Sequence, residues 1–163
     1  FEMFPGKWRH GDWIRFTSVG RSVIFGRSDT TINRFGIRMG TSEIYRAVED
    51  VPEVLDSLVV DLEYLGRTSY MPLFVVLRPG VMLDDALAAR IKESIRRRTS
   101  ARYVPDAVFA IDDIPRTLTG KKMELPVRKL LLGYPIEKIA SQDAMANPDS
   151  LSFFVQLAQK LNG

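Results

Sequence analysis

Two short apolar runs, separated by a turn, restrict the fold of this chain more than any other feature. The first lies within residues 54–65 and the second covers residues 72–77, and both are rich in leucine and valine. Residues 66–69 between them have the composition of a short connection, which predicts that the two strands pair antiparallel. Pro79 and Gly80 end the second strand. We therefore expect an α+β fold and not the alternating βαβ array of a parallel sheet.

Further elements are predicted on both sides of this pair. Residues 13–17 and 22–25 alternate apolar and polar side chains and predict a β-hairpin, and single strands are predicted at 31–34 and 107–111. Amphipathic patterns predict helices at about residues 41–49, 85–98, 124–132 and 150–161. Side-chain caps are expected for three of them, from Thr41 or Ser42, from Asp84 or Asp85, and from Asp149 or Ser150. The predicted sheet is antiparallel or mixed and is flanked by helices.

The composition excludes several kinds of chemistry. The 163 residues include no cysteine and one histidine, His10. Disulfides and thiolate chemistry are thereby excluded, and no metal site or Ser-His-Asp triad is predicted around a single histidine. No apolar run is long enough to cross a bilayer, so no membrane association is expected. The chain begins at Phe1 and enters strand-like sequence at once, so we expect a fragment of a longer protein.

Basic residues are clustered although the net charge is only +3. One cluster is Arg96, Arg97 and Arg98, and another begins with Lys121 and Lys122. Such clusters are compatible with a polyphosphate ligand or with nucleic acid. They are equally typical of an ordinary solvated helix face, so charge alone leaves these alternatives open.

The loop at residues 117–122 is the sharpest local feature. Gly120 allows a tight backbone turn, and Lys121 would place a mobile ammonium group where negative charge develops during phosphoryl or adenylyl transfer. The loop is not a Walker P-loop, because Pro115 and Lys122 stand where that motif requires a glycine and a serine or threonine. The alternative is an ordinary surface loop with two solvated lysines.

Three weaker features precede this loop. Asp12, at the mouth of the first strand, could accept hydrogen bonds from a ribose diol. Residues 25–29 have the small and polar composition of a hinge. Gly36 and Gly40 bracket Arg38 and would allow the backbone to approach a ligand closely. Each feature alone is more typical of an ordinary turn or of a loop before a helix.

Together and in this order, the four features resemble the C-terminal motifs of the adenylate-forming superfamily, which includes acyl-CoA synthetases, firefly luciferase and the adenylation domains of peptide synthetases. The shared pattern is Gly-Asp, Gly-Arg-x-Asp, Gly-x-Arg before a helix with an early Glu, and Pro-x-Thr-x-x-Gly-Lys. The chain supplies it at residues 11–12, 26–29, 36–38 with Glu43, and 115–121. Residues 4–13, 36–45 and 119–122, and the tail after Gly133, are similar to the acetoacetyl-CoA synthetase branch.

The resemblance implies a domain organisation. Residues 1–28 would be the end of an N-terminal adenylate-binding domain, contributing the β-hairpin. Residues 29–133 would form a small C-terminal lid domain, and residues 134–163 would be a C-terminal extension with a terminal helix. Most of the nucleotide and acyl pocket would lie upstream, so the fragment alone is expected to be inactive. A cytoplasmic location is expected.

The resemblance also implies a reaction. Acetoacetate and MgATP would give acetoacetyl-adenylate and pyrophosphate, and CoA would then displace AMP. ATP, Mg²⁺, CoA, acetoacetate and the enzyme's own N-terminal domain are the implied partners, without nucleic acid or membrane. The alternatives are a ligase for another short acid, such as acetate or propionate, and a basic nucleic-acid-binding module.

The resemblance implies a role for each of several residues of this chain. Lys121 would be the catalytic residue, bridging the substrate carboxylate and the phosphate during adenylation. The other implied roles are nucleotide binding by Asp12, Arg27 and Arg38, CoA binding by Gly36 and Arg96, and the hinge at Asp29.

Overall fold

A computed structural model describes residues 11–27, 31–34, 37–63, 69–139 and 142–162. The β-hairpin consists of β1 (Asp12–Phe16) and β2 (Ser22–Arg27), which pair antiparallel as predicted. A second, shorter hairpin follows, formed by β3 (Ile32–Arg34) and β4 (Ile37–Met39). The sequence predicts β3, whereas its pattern indicates only a glycine-bracketed segment before a helix where the structure has β4.

The central sheet contains β5 (Val54–Val59), β6 (Pro72–Leu77) and β7 (Ala107–Ala110), in that order. The predicted antiparallel pairing of β5 with β6 is confirmed, whereas β7 pairs with β6 in parallel. The sheet is therefore mixed, and the α+β prediction is confirmed. Because β6 lies in the centre, one side of β5 is an edge of this sheet.

The described residues form four α-helices close to the predicted positions: α1 (Thr41–Glu49), α2 (Asp85–Arg98), α3 (Glu124–Leu131) and α4 (Ser152–Asn162). Short 3₁₀ turns occupy Ala101–Tyr103, Ile136–Lys138, Gln142–Ala144 and Pro148–Leu151. None of the helices in the described ranges is long and apolar enough to cross a membrane.

One of the three predicted caps is confirmed. The Asp84 carboxylate accepts a hydrogen bond of 2.7 Å from the Leu87 N–H at the start of α2. The cap predicted for α1 is wrong, because Gly40 occupies the cap position and offers no side chain, while Thr41 is already helical. The cap predicted for α4 is also wrong, because Asp149 and Ser150 lie in the preceding 3₁₀ turn.

Alternating side chains of the central sheet enter two separate cores. The first core lies against α1 and α2 and includes Val59, Leu73 and Ile91. The second core lies against α3 and α4 and includes Leu58 and Phe74 from the same strands. Residues after 133, which the sequence predicts to be an extension, therefore contribute to one of the two cores of the molecule.

A candidate active-site loop

The loop at residues 115–123 is a tight hairpin. The Thr117 N–H donates to the Lys121 carbonyl at 2.9 Å, and the Gly120 N–H donates to the Thr117 carbonyl at 2.8 Å. Gly120 has φ +80°, and a side chain there would meet nothing within 4 Å. The left-handed backbone angle, and not crowding, is therefore what favours glycine at this position.

Lys121 lies directly before the Arg116–Lys122 bridge of this hairpin. Its side chain is exposed, and none of the described acidic side chains forms an ion pair with its ammonium group. Its backbone is nevertheless fixed, since its N–H donates to the Thr117 Oγ1 at 3.1 Å. The structure thus combines an available cation with a well-defined backbone, which is the arrangement that the sequence predicts for a catalytic lysine.

Lys122, the next residue, has the opposite environment. Its Nζ lies 2.7 Å from the Asp56 Oδ1 and donates to the Ser57 carbonyl at 2.6 Å. The same ammonium group lies 4.0 Å from the centroid of the Tyr45 ring, a cation–π contact. The exposed fraction of the Lys122 side chain is 21%. The alternative of a loop with two solvated lysines is therefore wrong for Lys122, and no local sequence pattern indicates these contacts.

Arg116 fastens the other strand of the loop to the same carboxylate. It forms an ion pair with Asp56, and its Nη1 donates to the Gly120 carbonyl at 2.6 Å. Burial raises the pKa of Asp56, but the hydrogen bonds and charge of Lys122, together with the Ser57 N–H and Arg116, outweigh burial and lower it overall. Asp56 is therefore an ionised anchor shared by two cations.

Helix α1 is joined to this anchor through Tyr45. The Tyr45 hydroxyl donates to Glu124 at the start of α3, and it accepts a long hydrogen bond of 3.4 Å from the Val59 N–H. Burial raises the pKa of Tyr45 well above its ordinary value, and the neighbouring Glu124 carboxylate raises it further. Tyr45 is thus a neutral donor that connects α1, β5 and α3 beneath the loop.

The predicted extension supports the loop from its other side. The Ala146 N–H donates to the Arg116 carbonyl at 3.0 Å, and the Leu118 N–H donates to the Ala144 carbonyl at 3.1 Å. The Asn147 Oδ1 accepts a hydrogen bond of 2.9 Å from the Arg116 N–H. This segment pairs with the loop almost as a further strand, a contact that no local sequence pattern indicates.

The structure describes the other predicted nucleotide-binding and hinge residues only in part. Asp12 and Arg27 are direct partners across the β1–β2 pair, but their side chains lie outside the described part of the structure. Asp29 and Gly36 lie outside the described residues altogether. Arg38 is exposed on β4, in register with β3.

Arg96 is exposed in the last turn of α2, away from the contacts that hold the loop. Its helix carries fewer available cations than the sequence indicates. Arg98 forms an ion pair with Asp50, and Arg90 forms one with Glu53. These pairs reduce the positive potential that a nucleic acid would meet on this face.

Comparison with known proteins identifies the class. Residues 43–121 match the family described as AMP-binding enzyme C-terminal domain. The matched range begins in α1 and ends at Lys121. This part of the chain, from α1 to the candidate loop, is therefore similar to the AMP-binding enzyme C-terminal domain family.

Two similar curated proteins are both acetoacetyl-CoA synthetases. The chain is 42% identical to the acetoacetyl-coenzyme A synthetase of Rhizobium meliloti, covering 98% of this chain and 24% of the relative. It is 41% identical to the acetoacetyl-CoA synthetase of Caenorhabditis elegans, covering 91% of this chain and 21% of the relative. The chain spans about a quarter of the length of these relatives.

A solved structure agrees with these relatives. The acetoacetyl-CoA synthetase of Streptomyces lividans matches with a TM-score of 0.87 and 51% identity, covering 98% of this chain and 24% of that one. The chain is thus similar, over nearly its whole length, to about a quarter of an acetoacetyl-CoA synthetase. The domain boundaries at residues 28 and 133, and the individual residue roles, stay predictions.

Proposed function

We propose that this chain is the C-terminal part of an ATP-dependent, AMP-forming acetoacetate–CoA ligase. The proposal is supported by similarity to acetoacetyl-CoA synthetases over nearly the whole chain. The single structural observation that carries it is Lys121, an exposed cation on a loop held from two sides. A cation so placed could neutralise charge that develops on a carboxylate and a phosphate brought together by the rest of the enzyme.

The reaction needs little chemistry from this part of the enzyme. In adenylation, the acetoacetate carboxylate attacks the α-phosphate of ATP, and pyrophosphate leaves with its bonding electron pair. The sulfur of CoA then attacks the acyl carbon and the thiol proton is released, while the acyl C–O bond breaks and AMP leaves with its electron pair. Mg²⁺ would enter with ATP as part of the substrate complex, and the described residues contain no group of three histidine or acidic side chains able to hold a metal ion.

The other roles follow from the same proposal. Asp12 and Arg27 would bind the ribose from the β1–β2 pair, where their backbones are direct partners. Arg38 would bind phosphate. Asp29 would be the hinge about which the domain turns between the two half-reactions, a common way for one site to serve two steps.

CoA would be bound by Gly36 and Arg96. Arg96 is exposed at the end of α2 and is compatible with this role. The competing nucleic-acid module is less well supported, because two arginines of α2 are already paired with carboxylates. A ligase for acetate or propionate remains the alternative substrate class, and a cytoplasmic location stays a prediction.

The test uses the full-length enzyme that carries this C-terminus, with Lys121→Ala. Acetoacetate-dependent exchange of pyrophosphate into ATP measures adenylation, and thioester formation from supplied acetoacetyl-adenylate measures the second step. We expect exchange to fall by about 10²–10³-fold, the range found when a single transition-state donor is removed. Thioester formation should be retained.

Lys129→Ala is the matched control, since Lys129 is another exposed lysine close in sequence, on α3. It should leave both steps unchanged. Equal activity of the Lys121→Ala enzyme in both steps would remove Lys121 from the mechanism and leave the chain with a shared fold but not the proposed chemistry.

A further inference from the structure

The two adjacent lysines of the loop divide two tasks between them. Lys121 is exposed, whereas Lys122 is held by Asp56, Ser57 and the Tyr45 ring. We propose that Lys122 is a positioning residue for adenylation, which keeps the Lys121 ammonium directed out of the loop through its anchor on Asp56. This inference rests on the proposed role of Lys121 and adds a residue to that same site.

The first step of the argument is that Lys122 docks the loop on a rigid support. In an antiparallel pair, alternate residues bond to the partner strand and the others direct their N–H and C=O groups to the opposite side. Even-numbered positions of β5 face β6, as the Val60 N–H to Pro72 bond shows. The Ser57 carbonyl and Val59 N–H therefore lie on the open edge, where Lys122 and Tyr45 bind them.

The second step concerns direction. Arg116 and Lys122 form an antiparallel bridge across the loop, so their side chains lie on the same side, and both reach Asp56. Lys121 directly precedes this bridge and is exposed, and because neighbouring residues of paired strands alternate sides, its side chain is expected on the side opposite to that of Lys122. The anchoring of Lys122 inward thus fixes Lys121 outward.

The third step concerns competition for charge. Asp56 is the carboxylate with which the loop forms ion pairs, and Arg116 and Lys122 each bind one of its oxygens. If the Lys122 ammonium were removed, Asp56 Oδ1 would lose its cation, and the adjacent Lys121 would be attracted toward it. An ammonium group drawn away from its working position by about 1 Å can cost about 10²-fold in rate.

The experiment uses the full-length enzyme with Lys122→Met, which keeps most of the length of the unbranched side chain and removes its charge. We expect kcat for acetoacetate-dependent pyrophosphate exchange to fall by about 10–10²-fold. The KM values for ATP and acetoacetate and the rate of thioester formation from supplied adenylate should stay close to those of the wild type. Lys122→Arg, which retains the cation, should recover most of the exchange, and Lys129→Met is the matched control.

A double mutant separates positioning from direct action. If Lys122 acts through Lys121, then Lys122→Met should cause no further loss of exchange in the Lys121→Ala enzyme, because effects of residues that act as a unit are not additive. An additional loss equal to that seen in the wild-type background would overturn the proposal. A raised KM with unchanged kcat would also overturn it, since that result assigns Lys122 to substrate binding.

Asp56→Asn provides a second variant in case Lys122→Met does not fold. It leaves both lysines in place and removes the charge on which Lys122 docks, so exchange should again fall selectively, here because the loop loses its anchor and not because Lys121 is attracted to a carboxylate. Equal losses in both half-reactions would indicate a merely structural role and would reject the proposal. A normal Lys122→Met enzyme beside an inactive Lys121→Ala enzyme would reject this inference alone, whereas an active Lys121→Ala enzyme would reject the proposed function itself.

Discussion

The two cores on opposite faces of the central sheet differ in how much of the chain they require. Among the described residues, the first core lies within residues 32–108 and uses the β3–β4 hairpin, α1 and α2. The second core begins at Leu58 and extends through residues 151–161 of the tail. The loop that carries Lys121 is flanked by Ile114 and Met123, both buried in the second core. The candidate catalytic loop is therefore supported mainly by the core that depends on the tail.

The chemistry of the two cores differs as well. The buried residues of the first core are aliphatic or methionine. The second core is organised around Phe74, whose ring centroid lies 4.8 Å from that of Phe154 and 5.6 Å from that of Phe109. Edge-on and offset aromatic pairs of this kind contribute beyond the area that they bury. The tail thus supplies a specific ring to a specific place and does more than cover apolar surface.

The largest predicted effect tests this difference. Phe154 is fully buried, and Phe154→Ala should destabilise the second core by about 3–5 kcal/mol, the usual cost of truncating a buried aromatic residue. Amide hydrogen exchange of α3 and α4 in the full-length enzyme measures the local loss, since both helices pack in the second core. Because the loop depends on this core, pyrophosphate exchange should also fall in the fraction that remains folded.

Ile91→Ala is the counterpart in the first core. Ile91 is also fully buried, and its truncation should cost about 2–5 kcal/mol. It should reduce protection from hydrogen exchange in α1 and α2 but leave pyrophosphate exchange of the folded enzyme nearly unchanged. Equal effects of the two substitutions on pyrophosphate exchange would mean that the cores do not differ in their support of the loop.

The next prediction concerns the acid stability of the loop. The folded-state pKa of Asp56 is lowered, so its ion pairs contribute stability that is fully present above the unfolded pKa, near 3.9. This contribution is lost as the pH falls through the lower, folded-state value. At neutral pH, Asp56→Asn should cost about 1.5–3 kcal/mol, the range for hydrogen bonds to charged groups.

The measurement is hydrogen exchange of the amides of residues 116–122 as a function of pH. The wild-type enzyme should lose protection when the pH falls below the ordinary pKa of aspartic acid. The Asp56→Asn enzyme should be less protected at neutral pH, and its protection should change less on acidification. Parallel acid profiles for the two enzymes would show that Asp56 does not anchor the loop. This result would place the stability of the loop in its contacts with residues 144–147 alone.

A contrast between local patterns and contacts of distant residues explains what could be predicted from the sequence. The antiparallel pair β5–β6, the four helices and the exposed Lys121 follow from local patterns, and the structure has them. The contacts of Lys122 could not be predicted, because Asp56 lies far away in the sequence and its neighbourhood depends on which edge of β5 is open. The pairing of the loop with Ala146 is equally non-local.

Errors at helix starts have a more local cause. Thr41 and Ser150 are good cap residues, yet Gly40 precedes α1 at the cap position, and a 3₁₀ turn precedes α4. Cap propensity indicates that a helix is near, but the backbone angle of a single residue decides where it begins. The β3–β4 hairpin was read only in part, since strands of three residues are too short to show an alternating pattern.

The smallest predicted effect lies at the start of α2, in the first core. Asp84→Ala removes the side-chain cap on the Leu87 N–H and should destabilise α2 by about 1 kcal/mol. Asp85→Ala is the control, because Asp85 is the first helical residue and does not serve as the cap. Hydrogen exchange of the first turn of α2 should report the loss in the Asp84 variant only.

Pyrophosphate exchange should be unaffected by either substitution, since α2 packs in the first core and makes none of the contacts that hold the loop. A decrease in pyrophosphate exchange for Asp84→Ala alone would show that a small loosening of the first core reaches Lys121. The path would then run through α1, which packs against α2 through the 2.7 Å bond from Ser94 to the Ala47 carbonyl and reaches Lys122 through Tyr45. An unchanged rate would confine control of the loop to the second core and its anchor on β5.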